Sequence, residues 1–182
     1  NLAMVQNIKE VPYGVSDFQT MVEQNIYYVD KTMYIPELEK QARYLIFIRP
    51  RRFGKSIFLG MLHAYYDIRT KHKFQQWFGN LWIGKHPTPL QGRYQVMHLD
   101  FSQVGGNIDN LEEKFNFYMG VQLDGFVRDY AEFYSDELRR KVNATQDAGG
   151  KLALIQSEAK VKEYPLYLII DEYDNFTNTV LN

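Results

Sequence analysis

Three short apolar runs decide what this chain can fold into: "RYLIFIR" at 43–49, "YQVMHLDFS" at 94–102 and "YPLYLII" at 164–170. Each has strand length and is rich in Ile, Leu, Val, Tyr or Phe, the composition of a buried strand. They stand too far apart for hairpins, with residues 50–93 and 103–163 between them. Two-residue turns join antiparallel neighbours, whereas parallel neighbours need a crossover of a dozen residues or more. The intervening segments have helical patterning, so the expected class is α/β with a mostly parallel sheet and right-handed crossovers.

The spacers support that reading. "VPYGVSDF" reads as a turn entering a short helix, with Ser16 or Asp17 as N-cap. "IYYVDKT" is extended, and Asp30 or Thr32 can cap the helix in "MYIPELEKQA", whose start Pro36 limits. After the first run, Ile57, Phe58, Met61, Leu62 and Tyr65 recur at helical spacing over 55–67. A helix is expected over "KHKFQQWFG" and an irregular loop over "GKHPTPLQG". Beyond "VGGN", helices are expected at about 108–133, 135–142 and 150–161, with "NATQDAGG" as a turn. Asp100 and Ser102 are placed to cap the helix after the second run. Asp174 and Asn175 are expected in a turn. No repeat or low-complexity segment interrupts the chain.

Composition narrows the functional classes. With 182 residues and 45% apolar content, one domain can bury a real core. The net charge of -1 selects neither nucleic acid nor an anionic membrane as partner. Without cysteine there is no disulfide, thiolate metal site or cysteine nucleophile. No apolar run reaches the roughly 18 residues of a membrane span, and the start has no signal-peptide pattern. A cytoplasmic protein is expected. His63, His72, His86 and His98 lack zinc-ligand spacing, and no G-x-S-x-G elbow marks a serine hydrolase. Tyr65, Tyr66, Phe74, Trp77 and Trp82 are assigned to the core rather than to a base-stacking platform.

Chemistry concentrates at the ends of the first and third runs. After "RYLIFIR" comes "RPRRFGKS", residues 49–56. A phosphate-binding loop, G-x-x-x-x-G-K-[ST], needs inward backbone N–H groups with a helix N-terminus behind them. It also needs a lysine for the β- and γ-phosphates and a hydroxyl for Mg²⁺. Gly54, Lys55 and Ser56 match its last three positions, while Arg49 replaces the first glycine. A Gly-Lys-Ser/Thr triplet arises by chance in roughly one chain in ten of this length, so context must carry the weight. Here a strand precedes the triplet and a helix starts within it. The third run ends in Asp171-Glu172. A carboxylate at a strand end can hold Mg²⁺ through water, and a second can orient the attacking water. Both motifs fall at C-terminal strand ends, the edge where open α/β sheets bind ligands.

With these motifs in view, the chain resembles the bacterial predicted AAA-ATPase-like family. The segments that carry the resemblance are "VPYGVSDF", "YYVDKTMYI", "FIRPRRFGKS", "VMHLDFS" and "LIIDEYDNFTN". In that family an Arg in place of the first glycine is ordinary, and a PD-(D/E)XK nuclease-like domain often follows. The resemblance implies a P-loop NTPase-like three-layer sandwich that binds ATP with Mg²⁺. It assigns phosphate contact to the loop Arg49, Pro50, Arg51, Arg52, Phe53, Gly54, Lys55, Ser56 and Ile57. Ser56 and Asp171 would hold the metal, and Glu172 and Lys55 would be catalytic. "YYVDKT" could wall an adenine pocket, with Asp30 or Thr32 as a plain helix cap as the alternative. Asp100 is a second candidate near Mg²⁺ or water. Arg51 and Arg52 read as solvated loop charges, with a contact to the γ-phosphate or a nucleic acid as the functional alternative.

One P-loop domain is therefore expected over 1–182, with lead-in helices and an adenine-side segment at 1–42 and the sheet core at 43–182. Its C-terminal side reads as incomplete. A strand expected between the phosphate-loop strand and the acidic strand, a polar sensor, an arginine finger and any nuclease-like domain would all lie beyond Asn182. An N-terminal fragment of low stability is expected on that ground. DNA, through the nuclease-like domain, and a second copy of the chain are the partners the resemblance offers besides nucleotide. The rival to an ATPase is a nucleotide-binding or degenerate P-loop scaffold that no longer hydrolyses, and the missing elements favour it for the isolated chain.

Overall fold

The computed structural model describes residues 15–24, 29–41, 45–46 and 53–181. The chain is mixed α/β and mostly helical. It divides into two compact units, Asn1–Leu45 with Arg51–Val96 and Ile46–Pro50 with Met97–Asn182.

The first unit is organised by its helices. They are α1 (Val15–Glu23), α2 (Ile35–Gln41), α3 (Phe53–Tyr66), α4 (Phe74–Phe78) and α5 (Trp82–Lys85). Ser16 and Asp17 are already helical in α1, so neither occupies the N-cap position expected of it. In α3, Leu59, Met61, Leu62, Ala64, Tyr65 and Tyr66 are all buried. Burial thus runs around the helix instead of along one stripe, as in a helix inside a core. Leu59, Met61 and Leu62 each contribute about 1.5–3 kcal/mol through burial. Phe18 of α1 meets Phe78 of α4 with ring centroids 5.1 Å apart, and Tyr65 meets Phe78 at 5.6 Å. The helix expected over "KHKFQQWFG" is a 3-10 segment, Ile68–Lys73, followed by α4.

Polar side chains fasten the irregular parts of this unit. Asp30 accepts hydrogen bonds from the Thr32 N–H (2.8 Å), the Thr32 hydroxyl (2.6 Å) and the Trp82 N–H (2.6 Å). Thr32 in turn accepts from the Ile83 N–H at 3.1 Å. Together the two residues satisfy donors at the start of α5, which no helical carbonyl can reach. The loop after α5 is tied by Tyr65, whose hydroxyl accepts from the Thr88 N–H at 2.8 Å, while the Thr88 hydroxyl donates to Glu39 at 2.6 Å. Trp82 differs from expectation: it is 37% exposed and stacks on His86 at 4.5 Å instead of entering the core.

The second unit holds most of a three-stranded sheet. Strands β1 (Leu45–Ile46), β2 (Gln95–Asp100) and β3 (Leu166–Asp171) lie in the order β1-β3-β2. The Phe101 N–H donates to the Asp171 carbonyl at 2.9 Å, so β2 and β3 finish side by side and run parallel. No strand separates β1 from β3 among the described residues; the strand expected between them was assigned to sequence beyond Asn182. Their direct pairing gives partners to backbone groups that an open edge would leave unmatched. At the end of β2, Gln122 acts as a substitute neighbour: its carbonyl accepts from the Asp100 N–H at 2.7 Å and its amide donates to the Asp100 carbonyl at 2.8 Å.

Long helices connect β2 to β3: α6 (Leu111–Asp129), α7 (Asp136–Ala144) and α8 (Ala148–Val161). Ser135 and Asp147 cap α7 and α8, accepting from the N–H groups of Leu138 and Gly150. Lys151 is buried in α8, where its ammonium reaches Asp124 at 2.9 Å and the Val142 carbonyl at 2.8 Å. The chain closes on α9 (Asp174–Leu181), so Asp174 and Asn175 open a helix where a turn was expected. Among the described residues no helix is long and apolar enough to cross a membrane.

Candidate functional site

The phosphate-loop candidates belong to the first unit. Helix α3 begins at Phe53, so Phe53, Gly54, Lys55 and Ser56 form its first turn. Backbone N–H groups at these positions have no carbonyl four residues earlier in the helix, and the helix dipole adds partial positive charge there. That is the arrangement an anionic phosphate requires. Ile57 follows and is buried, at 8% exposure. Arg49, Pro50, Arg51 and Arg52 lie outside the described residues.

The acidic candidates belong to the second unit. Asp171 is the last residue of β3 and is buried, at 4% exposure. One of its carboxylate oxygens, Oδ1, accepts from the Glu172 N–H at 2.9 Å. Glu172 itself has φ +58°, the left-handed region. A non-glycine residue there costs on the order of 1–2 kcal/mol. Such strain persists where the surroundings enforce it, and functional sites are a frequent place.

Those surroundings are well defined. Phe101, at the end of β2, meets Tyr173 at 5.3 Å and Phe176 at 5.7 Å, and Phe115 of α6 meets Phe101 at 6.1 Å. Asn175 donates to the Ser102 carbonyl at 3.2 Å, and the Gly106 N–H donates to Thr179 at 2.8 Å. Gly105 permits this close approach, because a Cβ there would lie 2.7 Å from the Asn175 carbonyl oxygen. Gly106, at φ +91°, allows the turn that follows. The loop after β2 and helix α9 therefore clamp the segment carrying Glu172 from both of its ends.

Several expectations change. Asp100 does not cap the next helix; its Oδ1 accepts from the Ser102 N–H at 2.8 Å, a local turn closed by its own side chain. The helical segment downstream is capped by Asn107, which accepts from the Asp109 N–H. Asp30 and Thr32 hold the start of α5, a different helix from the one they were expected to cap. A residue the motif reading passed over is His98 of β2, whose Nε2 lies 3.6 Å from Asp171 Oδ2. Its signal in the sequence was a polar residue in a buried run, two positions before Asp100 and so on the same strand face.

A second polar cluster lies in the first unit at the end of α3. His63 Nε2 approaches Asp67 Oδ2 at 3.2 Å, and Arg69 Nη2 approaches the same oxygen at 2.8 Å. Burial by itself would raise the Asp67 carboxyl. Hydrogen bonds from His63 and Arg69, with their charges, outweigh it and hold the group well below the usual carboxylate range. Asp67 also accepts from the Arg69 N–H at 2.9 Å and so starts the 3-10 segment.

Gly54, Lys55 and Ser56 thus lie in the first turn of α3, and Asp171 ends β3 with Glu172 directly after it. The sequence profile of the AAA-ATPase-like family, described as predicted AAA-ATPases, matches residues 12–182. The chain belongs to this predicted AAA-ATPase family. A stretch of 55 residues of this AAA-ATPase-like chain, 30% of its length, is 44% identical to a curated relative, "Uncharacterized protein in vnfD 5'region" of Azotobacter chroococcum mcd 1. The match spans 11% of that relative, a small part of its length. No solved structure matches the AAA-ATPase-like chain.

Proposed function

We propose that this AAA-ATPase-like chain binds ATP with Mg²⁺ through a P-loop NTPase-like domain and supports hydrolysis of the γ-phosphate. The observation that carries this reading is the start of α3, where Gly54, Lys55 and Ser56 occupy the first turn of a helix of 14 residues. Membership of the family over residues 12–182 supports it.

The roles follow from the chemistry of the residues. Backbone N–H groups from the loop Arg49–Ser56 cradle the phosphates, and the Lys55 ammonium meets the β- and γ-phosphate oxygens. Ser56, and Asp171 through water, are the groups that would hold Mg²⁺. The donors fit the ion, since all are oxygens and Mg²⁺ binds through one or two carboxylates while keeping several waters. When bound, Mg²⁺ neutralises charge that builds on the phosphate oxygens. Glu172 orients water for in-line attack and takes up its proton. Pinning that residue between Asp171 and α9 limits the orientations its side chain samples, which favours a productive geometry. Nucleic acid recruited by a following nuclease-like domain, and self-association, belong to this reading on the family resemblance.

Phosphate release and nucleotide binding, measured together on wild type and Glu172→Gln, test the proposal. Glu172→Gln keeps binding and lowers turnover by about 10²–10⁴-fold, the range of a lost general base. Equal turnover in the variant removes Glu172 from the chemistry. Binding with no turnover in the wild type would leave a nucleotide-binding module, the rival reading.

A further inference from the structure

Asp171 is held from two sides, and its two carboxylate oxygens meet different groups. Oδ1 accepts from the Glu172 N–H at 2.9 Å, and Oδ2 faces His98 Nε2 at 3.6 Å. The His98 side chain is 9% exposed and that of Asp171 is 6% exposed, so bulk water does little to orient either. The two residues belong to adjacent strands that finish in register, as the bond from the Phe101 N–H to the Asp171 carbonyl shows. A carboxylate rotates about its last side-chain bond unless both oxygens are engaged. Here the backbone N–H fixes one oxygen and the imidazole stands beside the other.

We propose that His98 is a positioning residue for the metal-binding carboxylate: it sets the rotation of Asp171 and thereby the affinity for Mg²⁺ in the presence of nucleotide. This rests on the assignment of Asp171 to Mg²⁺ made above. At 3.6 Å the contact is longer than a hydrogen bond, so its effect is electrostatic and steric, and it acts on orientation. His98 does not touch nucleotide in this role. Groups beside a metal-binding residue commonly change metal affinity by about 10–100-fold when removed. For a contact of this length the lower end of that range is expected.

The test is a Mg²⁺ titration of fluorescent ADP binding, a readout independent of turnover. His98→Leu raises the Mg²⁺ concentration needed for half-maximal binding by about tenfold, while affinity for the nucleotide without Mg²⁺ is unchanged. His98→Gln keeps a side-chain N–H donor at similar reach and recovers most of the loss, whereas packing alone would not distinguish the two variants in Mg²⁺ dependence. In the wild-type protein, where no fold is at risk, Mg²⁺ with ADP shifts the ring resonances of His98 more than those of His63, His72 and His86. An unchanged Mg²⁺ midpoint in a folded His98→Leu, or His98 resonances that do not respond to Mg²⁺, overturns the inference. Asp171→Asn separates the two levels. If it loses the Mg²⁺ dependence while His98→Leu keeps the wild-type midpoint, only the role of His98 falls. If it leaves the Mg²⁺ titration as in wild type, the metal assignment falls and takes this inference with it.

Discussion

Glu172 and Glu163 share a backbone conformation, and the contrast between them isolates what strain is for. Both have φ +58°. Glu163 follows α8, where the Tyr164 N–H closes the helix end on the Ala159 carbonyl at 2.8 Å. A left-handed residue at that position is the ordinary way to finish a helix, and glycine suits it best. Glu163→Gly is expected to stabilise the protein by about 0.5–1 kcal/mol, the relief of a left-handed side chain less the entropy glycine loses. Thermal melts should rise by roughly 2 °C with activity unchanged. Glu172→Gly is expected to give a similar gain in melting temperature and to lose turnover. A fall in stability on Glu172→Gly would mean that its side chain holds the fold. At Asp67 the prediction concerns pH. Its carboxyl is depressed in the folded state, so its contribution is fully present above the unfolded value of about 3.9 and is lost as pH falls through the lower folded value. Melting temperature should therefore drop below about pH 4, and Asp67→Asn should flatten that part of the profile. The substitution should cost about 3 kcal/mol at pH 7, because it leaves a buried histidine and a guanidinium without their anion. A profile as steep in Asp67→Asn as in wild type would assign the acid sensitivity elsewhere.

Among the elements, helix α9 and the loop after β2 form the joint on which the acidic pair depends. Gly105→Ala pushes a methyl against the Asn175 backbone, and overpacking of this kind costs about 1–3 kcal/mol. The expected outcome is a lower melting temperature together with reduced turnover, while the fold of the first unit, followed by Trp77 fluorescence, stays intact. Unchanged turnover in a destabilised Gly105→Ala protein would uncouple the joint from the chemistry. The strands and long helices around this joint were legible in the sequence, because apolar runs and helical spacing report burial directly. Strand β2 was expected at 94–102 and spans Gln95–Asp100; the helix expected at 135–142 spans Asp136–Ala144. Other features were not legible. The short helix Trp82–Lys85 depends on acceptors supplied by Asp30 and Thr32, some fifty residues earlier in the chain. Burial all around α3 reflects what packs against it, which spacing along one helix does not encode. His98 beside Asp171 required knowing that β2 and β3 are neighbours in register.

At the scale of the whole molecule, two motifs lie in separate compact units, Gly54-Lys55-Ser56 in one and Asp171-Glu172 in the other. The proposed function assigns both to one Mg²⁺-nucleotide, and family membership over residues 12–182 supports nucleotide binding. Calorimetric titration of Mg²⁺-ADP into the wild-type protein and into Lys55→Ala tests it most directly. Saturable binding with one nucleotide per chain is predicted for the wild type. Lys55→Ala should weaken it by about 10–100-fold, the value of a hydrogen bond from a charged donor to phosphate. Equal affinity in the two proteins, or no binding to the wild type, would contradict the account.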